Sequence, residues 1–421
     1  MAVRNPLYLG LDIGTSGVRG VCIDRQQKVV ATAVASVTET HRTALRNPLN
    51  WKAMLIQVMS DLGSRIDPGK IISIAVDGQS GTVLLCNSQG EVFGNTSLLY
   101  NDNPAANTVT ELTERLGLCP DTLARACELW KKMAQPQDFH IVHQADWIAG
   151  LFSGDFKHTD ENNALKTGYS AANRKWRFAT YKLPFNPAAL PQVCLPATPL
   201  ARASSRFAAD MGLSPQCQIV AGTTDGTAGF IAASGLHQLD AGTAVTSLGT
   251  TLIIKTVSKK EIKSARFGVY SHRFRDLWIA GGASNSGAGV LLDFFTPARL
   301  EELSQRIDPD LPGSLRYYPL LVKGERFPVN DPQKESLVTP RPEDDAEFLA
   351  ALFESIAHIE RQCYETLDAL GAPYPKVVKT VGGGSRNKIW SKIRERVLGV
   401  DIITATQADA AYGAALIASI S

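Results

Sequence analysis

Short apolar runs that end in glycine-rich turns recur along the chain, and this pattern predicts strands followed by tight turns. Residues 7–24 contain two such runs around one turn, which predicts a β-hairpin whose turn carries an aspartate. The strand-and-turn pattern returns at 71–86, 244–254, 277–289 and 377–387. Because the copies lie in both halves of the chain, they indicate a duplicated architecture and not a short-period solenoid.

Helical stretches lie between these strands. Residues 345–370 place apolar side chains at helical spacing and stop at Gly371, a favourable end for a helix. Residues 388–398 predict a shorter amphipathic helix, and 408–420 predict a helix rich in small residues that packs closely on a neighbour. A further helix is expected after Asp225. Strands and helices mixed throughout the chain predict an α/β protein.

The chain of 421 residues is too long for one hydrophobic core, since single cores stop growing above about 250–300 residues. Two or three domains are therefore expected. The proline-rich segment 184–215 predicts an extended connection, and the tract 324–345 predicts a second long loop. The most natural domain boundary lies near residue 232, after the helix that follows Asp225.

Composition and charge narrow the function classes. Hydrophobic residues make up 44% of the chain and charged residues 20%, as in ordinary globular proteins. The 43 basic and 41 acidic residues leave a formal charge of +2, so no broad basic surface is expected to bind nucleic acid or an anionic membrane. Seven scattered cysteines without a CxxC pair favour a reducing compartment and make a zinc site unexpected.

The apolar segments predict the location of the protein. No uncharged apolar run approaches the roughly 18 residues that cross a bilayer. Asp12 and Gly14 interrupt the apolar stretch near the N-terminus, so this stretch does not resemble a signal peptide. We therefore expect a cytoplasmic protein.

Glycine turns after strands suit phosphate, because they expose backbone N–H groups and their Ser or Thr hydroxyl groups add donors. DIGTS at 12–16 and SLGTT at 247–251 form a pair of such turns, one in each half of the chain. Together they predict a nucleotide held between two domains. A P-loop and a dinucleotide-binding GxGxxG motif are both absent from the sequence.

Two acidic residues follow apolar runs, where a carboxylate costs free energy unless a partner binds it. Asp12, beside the first phosphate turn, is placed to hold Mg²⁺ together with phosphate oxygens. Asp225 follows the run QIVAGTT and precedes a predicted helix, so it is placed to accept a proton from an attacking hydroxyl group. An alternative is open for each: Asp12 as a turn residue and Asp225 as a helix cap.

Five motifs together resemble the FGGY family of carbohydrate kinases over nearly the whole chain: DIGTSGVR, AGTTD, SLGTT, GERFP and GGGSRN. The resemblance implies a two-lobed, actin-like ATPase fold of the ribonuclease H type, with duplicated domains and a central cleft. It also implies an N-terminal domain at 1–232 that binds sugar and supplies the catalytic base, rejoined by the C-terminal helix at 406–421. The ATP-binding C-terminal domain is expected at 233–405.

Within that family the chain is most similar to the short ketopentose kinases of cyanobacteria and plant plastids. The similarity lies in DGQSGTVLLC at 77–86, LLYND at 98–102 and QADW at 144–147. It implies phosphorylation of D-ribulose to D-ribulose 5-phosphate with ATP and Mg²⁺, and we expect a monomer or homodimer. D-xylulose or a polyol is the alternative substrate. An actin-like ATPase without sugar kinase activity, or a sugar-responsive regulator, is the alternative class.

The resemblance further implies roles for individual residues. Asp12 and Asp225 are the expected catalytic residues and metal ligands, with Asp225 as the base. The residues expected to contact the nucleotide are Gly14, Thr15, Ser16, Gly249, Thr250, Thr251, Gly282, Gly383, Gly384, Asn387 and Trp390. The residues expected to contact the sugar are Asp12, Ser80, Asp102 and Asp225.

Three of these assignments compete with structural alternatives. Trp390 shares helical spacing with Ile393 and Val397, which is equally typical of a buried core residue. Ser80 is also suited to closing a turn. Asp102 precedes a proline by two residues, as turn residues do, and it belongs to a Tyr-Asn-Asp sequence where many family members have Trp-x-Asp. Glycerol is disfavoured as a substrate, because the glycerol kinase pattern Gln-Arg-Glu is replaced by Gln-Ser-Gly at 79–81.

Overall fold

The computed structural model describes residues 5–37 and 45–420. They form two compact units, one from the described residues of Met1–Ala232 and Asp409–Ser421, the other from Ala233–Ala408. The predicted domain limits at the first and last residues of the chain lie outside the described residues. Within the described ranges, no helix is both long enough and apolar enough to cross a membrane.

Both units contain strands and helices. The strands are β1 (Leu7–Gly14), β2 (Gly17–Ile23), β3 (Val29–Ser36), β4 (Ile71–Gly78), β5 (Val83–Cys86), β6 (Val92–Leu98), β7 (His140–His143), β8 (His158–Asp160), β9 (Tyr169–Ser170), β10 (Lys175–Trp176), β11 (Gln192–Cys194), β12 (Pro199–Arg202), β13 (Gln218–Thr224), β14 (Ala244–Leu248), β15 (Leu252–Ser258), β16 (Tyr270–Phe274), β17 (Leu277–Ser284), β18 (Val377–Val381) and β19 (Asp401–Thr404). The helices are α1 (Pro48–Gly63), α2 (Ala106–Leu116), α3 (Asp121–Lys132), α4 (Gln144–Ser153), α5 (Glu161–Thr167), α6 (Arg206–Asp210), α7 (Asp225–Ser234), α8 (Pro297–Ser304), α9 (Asp345–Ala369), α10 (Lys388–Leu398) and α11 (Ala410–Ala418).

The first unit is built on a six-stranded sheet with the order β12-β13-β4-β1-β2-β3. β1 pairs antiparallel with β2 and parallel with β4, and β4 pairs parallel with β13. Leu9, Leu11 and Ile13 alternate along β1 and are fully buried in a core shared with α1. Gly10 leaves room for α11, because a Cβ atom there would lie 1.9 Å from the carbonyl oxygen of Ala411. The close packing predicted for the last helix is confirmed.

The second unit is built on a sheet with the order β16-β17-β15-β14-β18-β19. β14 pairs antiparallel with β15 and parallel with β18, which pairs parallel with β19. Helices α9 and α10 contribute Phe348, Leu352 and Trp390 to the core of this unit. Five strands in each sheet share one pairing scheme, with three antiparallel strands followed by two parallel ones: β3-β2-β1-β4-β13 and β17-β15-β14-β18-β19. The duplicated architecture predicted from the repeated turns is therefore confirmed.

Local structure departs from the sequence-based expectations in three places. Asp12 lies within β1, paired with Arg19 of β2, and not in the hairpin turn that was expected to carry it. The two apolar runs of segment 71–86 do not pair with each other as those of 7–24 do, because β4 joins the main sheet while β5 joins the separate sheet β6-β5-β7. Segment 184–215 contains β11, β12 and α6 and is more than an extended connection. The helices predicted at 345–370 and 388–398 are confirmed as α9 and α10.

Candidate active site

Three carboxyl groups lie at one edge of the sheet in the first unit. Asp12 and Asp77 lie near the carboxyl ends of the parallel strands β1 and β4, where they are direct register partners. Asp225 begins α7 immediately after β13, the next parallel strand. Ligands of α/β proteins bind outside the carboxyl ends of such strands. The strand order thus groups two acids that were predicted to be catalytic with one that was not.

Asp12 is a partly buried carboxyl group in a negatively charged environment. Burial raises the pKa of Asp12 from 3.8 to about 6, and repulsion from Asp225 and Asp409 adds to this shift. The Asp77 carboxyl group and the charge of Arg19 act on the pKa in the opposite direction. Arg19 lies 3.4 Å from Asp409, measured between Nη1 and Oδ2. The environment of Asp12 therefore favours a bound proton or cation.

Asp77 is a functional candidate that the sequence analysis missed. Its side chain is fully buried, and in the described part of the chain no group other than the Asp12 carboxyl group is placed to share a hydrogen bond with its oxygens. Burial raises the pKa of Asp77 well above its ordinary value, and repulsion from Asp12 adds to the shift. The signal was present in the sequence, since IISIAV followed by Asp77 repeats the pattern that identified Asp12 and Asp225.

The carboxyl groups can supply one or two ligands to a magnesium ion whose other ligands are water or phosphate oxygens. The described residues contain no group of three or more His, Cys, Asp or Glu side chains arranged to hold a metal. Mg²⁺ at a phosphate site commonly uses one or two carboxylates and completes its shell with water and phosphate oxygens. The raised pKa of Asp12 reflects in part its repulsion from Asp225 and Asp409, which a bound divalent cation would relieve. Asp12 and Asp225 stay the predicted ligands of such a cation.

Asp225 combines a partly exposed side chain with the first position of a helix. Its Oδ1 accepts a hydrogen bond of 2.6 Å from the backbone N–H of Gly226. Beside it, the buried hydroxyl groups of Thr224 and Thr227 are hydrogen bonded at 3.0 Å. The helix-cap alternative stays open, because a capping side chain accepts from the second or third N–H of the helix and not from the adjacent one. The contact with Gly226 orients the carboxyl group and is compatible with its action as a general base.

The turn between β1 and β2 presents two hydroxyl groups on a fixed backbone. Thr15 and Ser16 form the turn and are exposed. The carbonyl oxygen of Ser16 accepts a hydrogen bond of 2.8 Å from the N–H of Val37. Gly17 has a φ of 145°, and a Cβ atom there would lie 2.0 Å from the carbonyl oxygen of Ala35. Packing against the end of β3 therefore fixes the turn, while its hydroxyl groups stay accessible to phosphate.

The three segments that carry the ketopentose kinase similarity contact one another. The N–H of Gln79, in DGQSG, donates to the side chain of Gln144, in QADW, at 3.0 Å. The hydroxyl oxygen of Thr82 accepts a hydrogen bond of 3.1 Å from the N–H of Tyr100, in LLYND. The Oγ of Ser80 is buried and has no hydrogen-bonding partner among the described residues. Ser80 therefore retains the hydrogen-bonding capacity expected of a residue that contacts a ligand.

Arg125 ties two of these segments together. Its side chain is almost fully buried and donates three hydrogen bonds to backbone carbonyl oxygens. The acceptors belong to Gly81, at 3.0 Å, Tyr100, at 2.7 Å, and Asp102, at 2.8 Å. One guanidinium group thus fixes both loops that surround Ser80.

The side chain of Asp102 is occupied by contacts within the protein. Both of its oxygens accept hydrogen bonds from the guanidinium group of Arg46, and the Oδ1 contact measures 2.6 Å. Oδ2 also accepts a hydrogen bond of 2.8 Å from the N–H of Leu99. The hydrogen bond with Arg46 lowers the pKa of Asp102. These contacts favour the turn alternative, and the sugar contact of Asp102 stays a prediction.

The glycine turns of the second unit follow neighbouring parallel strands. Gly249–Thr251 follows β14, and Gly382–Gly384 follows β18. Gly382 has a φ of 91°, and a Cβ atom there would lie 2.7 Å from the carbonyl oxygen of Leu248. Gly383 has open space beside it, since a Cβ atom there would meet nothing within 4 Å. The two turns pack closely on each other, and Gly383 offers the open backbone that a nucleotide can approach.

Three residues predicted to contact the nucleotide have structural contacts. Trp390 is 1% exposed, stacks on Phe353 with ring centroids 4.6 Å apart, and donates from Nε1 to the carbonyl oxygen of Phe353 at 3.0 Å. This burial favours the core alternative for Trp390, and its contact with the nucleotide stays a prediction. Asn387 caps α10 by accepting a hydrogen bond of 2.9 Å from the N–H of Trp390. At Gly282, a Cβ atom would lie 2.8 Å from the ring of Phe327.

Models of one protein family match both units of the chain. The family model described as "FGGY family of carbohydrate kinases, N-terminal domain" matches residues 7–232, and its C-terminal counterpart matches 244–421. The chain is 23% identical over 443 aligned residues to the xylulose kinase of Escherichia coli, covering 99% of this chain and 90% of that protein. It is 25% identical over 443 residues to the xylulose kinase of Bacillus subtilis, covering 98% and 87%.

Solved structures with the same fold include two kinases of different specificity. Xylulose kinase from Rhodospirillum rubrum matches with a TM-score of 0.80 and 21% identity, over 98% of this chain and 89% of that one. Glycerol kinase from Plasmodium falciparum matches with a TM-score of 0.79 and 15% identity, over 99% and 89%. The shared architecture therefore accommodates more than one sugar or polyol, and specificity has to be argued from the site.

Proposed function

Because the chain belongs to the FGGY family of carbohydrate kinases, we propose that it transfers the γ-phosphoryl group of ATP to a terminal hydroxyl group of a ketopentose. D-ribulose is the proposed substrate and D-ribulose 5-phosphate the product. The observation that carries this proposal is the grouping of Asp12, Asp77 and Asp225 at the carboxyl ends of three neighbouring parallel strands. Carboxylates grouped in this way can accept a proton from a hydroxyl group and can hold a cation that neutralises phosphate charge.

Asp225 acts as the general base in this reaction. Its carboxylate accepts the proton of the sugar hydroxyl group while that oxygen attacks the γ-phosphorus, and the bond to the β,γ-bridging oxygen breaks to release ADP. Transfer of this kind depends mainly on positioning and charge neutralisation. Mg²⁺, when bound, neutralises phosphate charge. Asp12 would hold it with Asp225, and the Thr15 and Ser16 hydroxyl groups donate to phosphate oxygens.

The nucleotide binds to the glycine turns of the second unit. Gly249–Thr251 supplies backbone N–H groups and two hydroxyl groups for phosphate, and the open backbone at Gly383 receives the nucleoside. The core position of Trp390 directly beneath Gly384 supports this turn, because a Cβ atom at Gly384 would lie 2.9 Å from the indole ring. Trp390 thus supports the nucleotide-binding turn from within the core.

The preference for D-ribulose rests on the contacting segments DGQSG, LLYND and QADW. Their hydrogen bonds and the three contacts of Arg125 build one rigid surface around the unpartnered hydroxyl group of Ser80. D-xylulose is the second candidate, because the curated relatives that cover nearly the whole chain are named xylulose kinases. The two ketopentoses differ at one stereocentre, so a few polar contacts decide between them.

A substrate screen tests the proposed reaction. ATP consumption is measured with D-ribulose, D-xylulose, L-ribulose, ribitol and glycerol, and kcat/KM is expected to be highest for D-ribulose and next highest for D-xylulose. The reverse order would replace the proposed substrate while keeping the reaction. An equal rate of ATP hydrolysis with and without sugar would contradict a kinase and support an actin-like ATPase.

The Asp225→Ala variant tests the base. We expect kcat to fall by about 1000-fold, because a positioned base contributes roughly 100- to 10,000-fold to proton transfer. Binding of a non-hydrolysable ATP analogue should stay within about twofold, since this variant removes no proposed nucleotide contact of the second unit. Asp210→Ala is the matched control, because among the described residues Asp210 forms its ion pair with exposed Arg206 one helical turn away, at 3.4 Å. Full activity in Asp225→Ala would exclude this residue as the base.

A further inference from the structure

The GERFP loop of the second unit is anchored by a buried glutamate. Glu325 is 2% exposed, and its two oxygens accept four hydrogen bonds. Its Oε2 accepts from the hydroxyl groups of Ser284, at 2.7 Å, and Tyr318, at 3.0 Å. Its Oε1 accepts from the backbone N–H groups of Asn285, at 2.7 Å, and Arg326, at 2.8 Å. One carboxylate thus fastens the GERFP loop to the turn that follows β17.

That turn packs directly on the phosphate turn after β14. The N–H of Ala288 donates to the carbonyl oxygen of Gly249 at 2.8 Å, and the N–H of Leu252 donates to the carbonyl oxygen of Ser286 at 2.8 Å. A Cβ atom at Gly287 would lie 2.7 Å from the carbonyl oxygen of Thr250. The chain from Glu325 to the phosphate turn is therefore continuous and closely packed.

Arg326 lies at the exposed end of this assembly. Its Nε donates to Oδ1 of Asn285 at 2.7 Å, and Nδ2 of Asn285 donates to the carbonyl oxygen of Gly324 at 2.8 Å. The side chain of Arg326 is exposed. In the described part of the chain no carboxylate lies within 4 Å of its guanidinium group. The positive charge of Arg326 is thus oriented by a neutral amide and is not neutralised by an acid.

We propose that Arg326 binds a phosphate oxygen of the nucleotide held by Gly249–Thr251. This inference rests on the proposed function, because it takes ATP to be the phosphoryl donor. Gly249–Thr251 contains no charged side chain, so its backbone and hydroxyl donors leave most of the triphosphate charge to be compensated by other groups. An arginine held through Nε keeps its two Nη groups available as charge-assisted donors, which is the geometry that phosphate recognition uses.

Nucleotide binding without sugar tests this role apart from catalysis. The full chain, its Arg326→Gln and Arg326→Lys variants and the Asn285→Ala variant are titrated with a non-hydrolysable ATP analogue and with adenosine. Arg326→Gln should bind the analogue about 10- to 100-fold more weakly and adenosine unchanged, because only the phosphate contact is lost. Arg326→Lys should recover part of the affinity, and Asn285→Ala should lose part of it.

Arg266→Gln is the matched control, because Arg266 is an exposed arginine of the same unit that contacts the ring of Phe267. Equal affinity of wild type and Arg326→Gln for the analogue would overturn the proposal. Equal weakening for adenosine and the analogue would also overturn it, since it would indicate a structural effect. If wild type binds the analogue, Arg326→Gln loses it selectively, and no sugar is phosphorylated, the proposed function fails while the role of Arg326 stands.

Discussion

The two sheets share their strand pairing, yet they differ in how the polar groups on corresponding strands are satisfied. In the first unit the register partners Asp12 and Asp77 lie on β1 and β4, and among the described residues the buried oxygens of Asp77 have no hydrogen-bonding partner besides the Asp12 carboxyl group. In the second unit the register partners Thr246 and Thr380 lie on β14 and β18. Both threonines are hydrogen bonded to a buried ion pair.

That ion pair joins Glu360 of α9 to Arg394 of α10. Their side chains are 0% and 1% exposed, and the two bonds between them measure 2.6 and 2.7 Å. Thr246 donates to Glu360 at 2.6 Å, and Thr380 accepts from Arg394 at 2.9 Å. Buried polar groups with partners serve the fold, whereas unpartnered ones persist where a ligand or a reaction needs them. On this basis we propose a chemical role for the acids of the first unit and a structural role for the ion pair of the second, in which Nη1 of Arg394 is the one guanidinium nitrogen that is buried without a partner among the described residues.

Removing the carboxyl group of Asp12 gives the largest expected effect. Asp12→Ala should lower kcat by about 1000-fold, equivalent to about 4 kcal/mol of barrier, because it deletes the proposed ligand of the magnesium–phosphate assembly. Its melting temperature should stay the same or rise, since one of several mutually repelling carboxyl groups is gone. Steady-state kinetics and thermal denaturation measure the two effects. Asp138→Ala serves as the control, because Asp138 is exposed. A large fall in melting temperature without a loss of kcat would show that Asp12 has a structural and not a chemical role.

Breaking the ion pair of the second unit is expected to lower stability, in contrast to the loss of kcat expected for Asp12→Ala. Glu360→Gln leaves the charge of Arg394 buried and uncompensated, which should cost about 3 kcal/mol of unfolding free energy. Urea denaturation measures this loss. Glu365→Gln is the control on the same helix, because Glu365 pairs with half-exposed Arg361 at 2.7 Å and should contribute less than about 1 kcal/mol. Equal stability of the two variants would refute the structural role of the buried pair.

The parts of the molecule that follow from local pattern could be predicted from the sequence. An apolar run followed by an acid or by glycines identified β1, β13, β14 and β18 and the turns after them, because strand period and turn chemistry act over a few residues. The same rule applied to Asp77 would have placed a third acid at the edge. Its neighbour Ser80 received the functional assignment, although Asp77 is the residue that ends the buried strand.

Other features depend on distant parts of the chain and could not be predicted. Glu360 and Arg394 are 34 positions apart, and neither lies in a motif. Helical spacing allowed Trp390 to be core or ligand contact, and only its stack on Phe353 favours the core. Asp102 carries no sequence signal of its pairing with Arg46, which precedes it by 56 residues. Tertiary contacts, and not local propensity, decide these roles.

The Asp102→Asn variant is expected to have the smallest effect. It tests whether Asp102, unlike Asp12 and Asp225, has a structural role. Its side chain is partly exposed and paired with Arg46, so Asp102→Asn should cost roughly 0.5–1 kcal/mol of stability at pH 7. The pairing lowers the pKa of Asp102 below 3.8, so its contribution is present above that value and is lost as the pH falls through the lowered pKa. Denaturation curves of wild type and Asp102→Asn should therefore differ at pH 7 and converge in acid.

The kinetic constants of the same variant decide between the two roles of Asp102. Its oxygens already accept hydrogen bonds from Arg46 and Leu99, so the sugar KM of Asp102→Asn should change by less than about threefold. An increase of about tenfold or more in sugar KM, with the ATP KM unchanged, would show that Asp102 contacts the sugar as the family resemblance implies. The acids at the carboxyl ends of β1, β4 and β13 would then share sugar recognition with a carboxylate that is already paired with an arginine, and hydrogen-bond satisfaction alone would not separate chemical from structural residues in this unit.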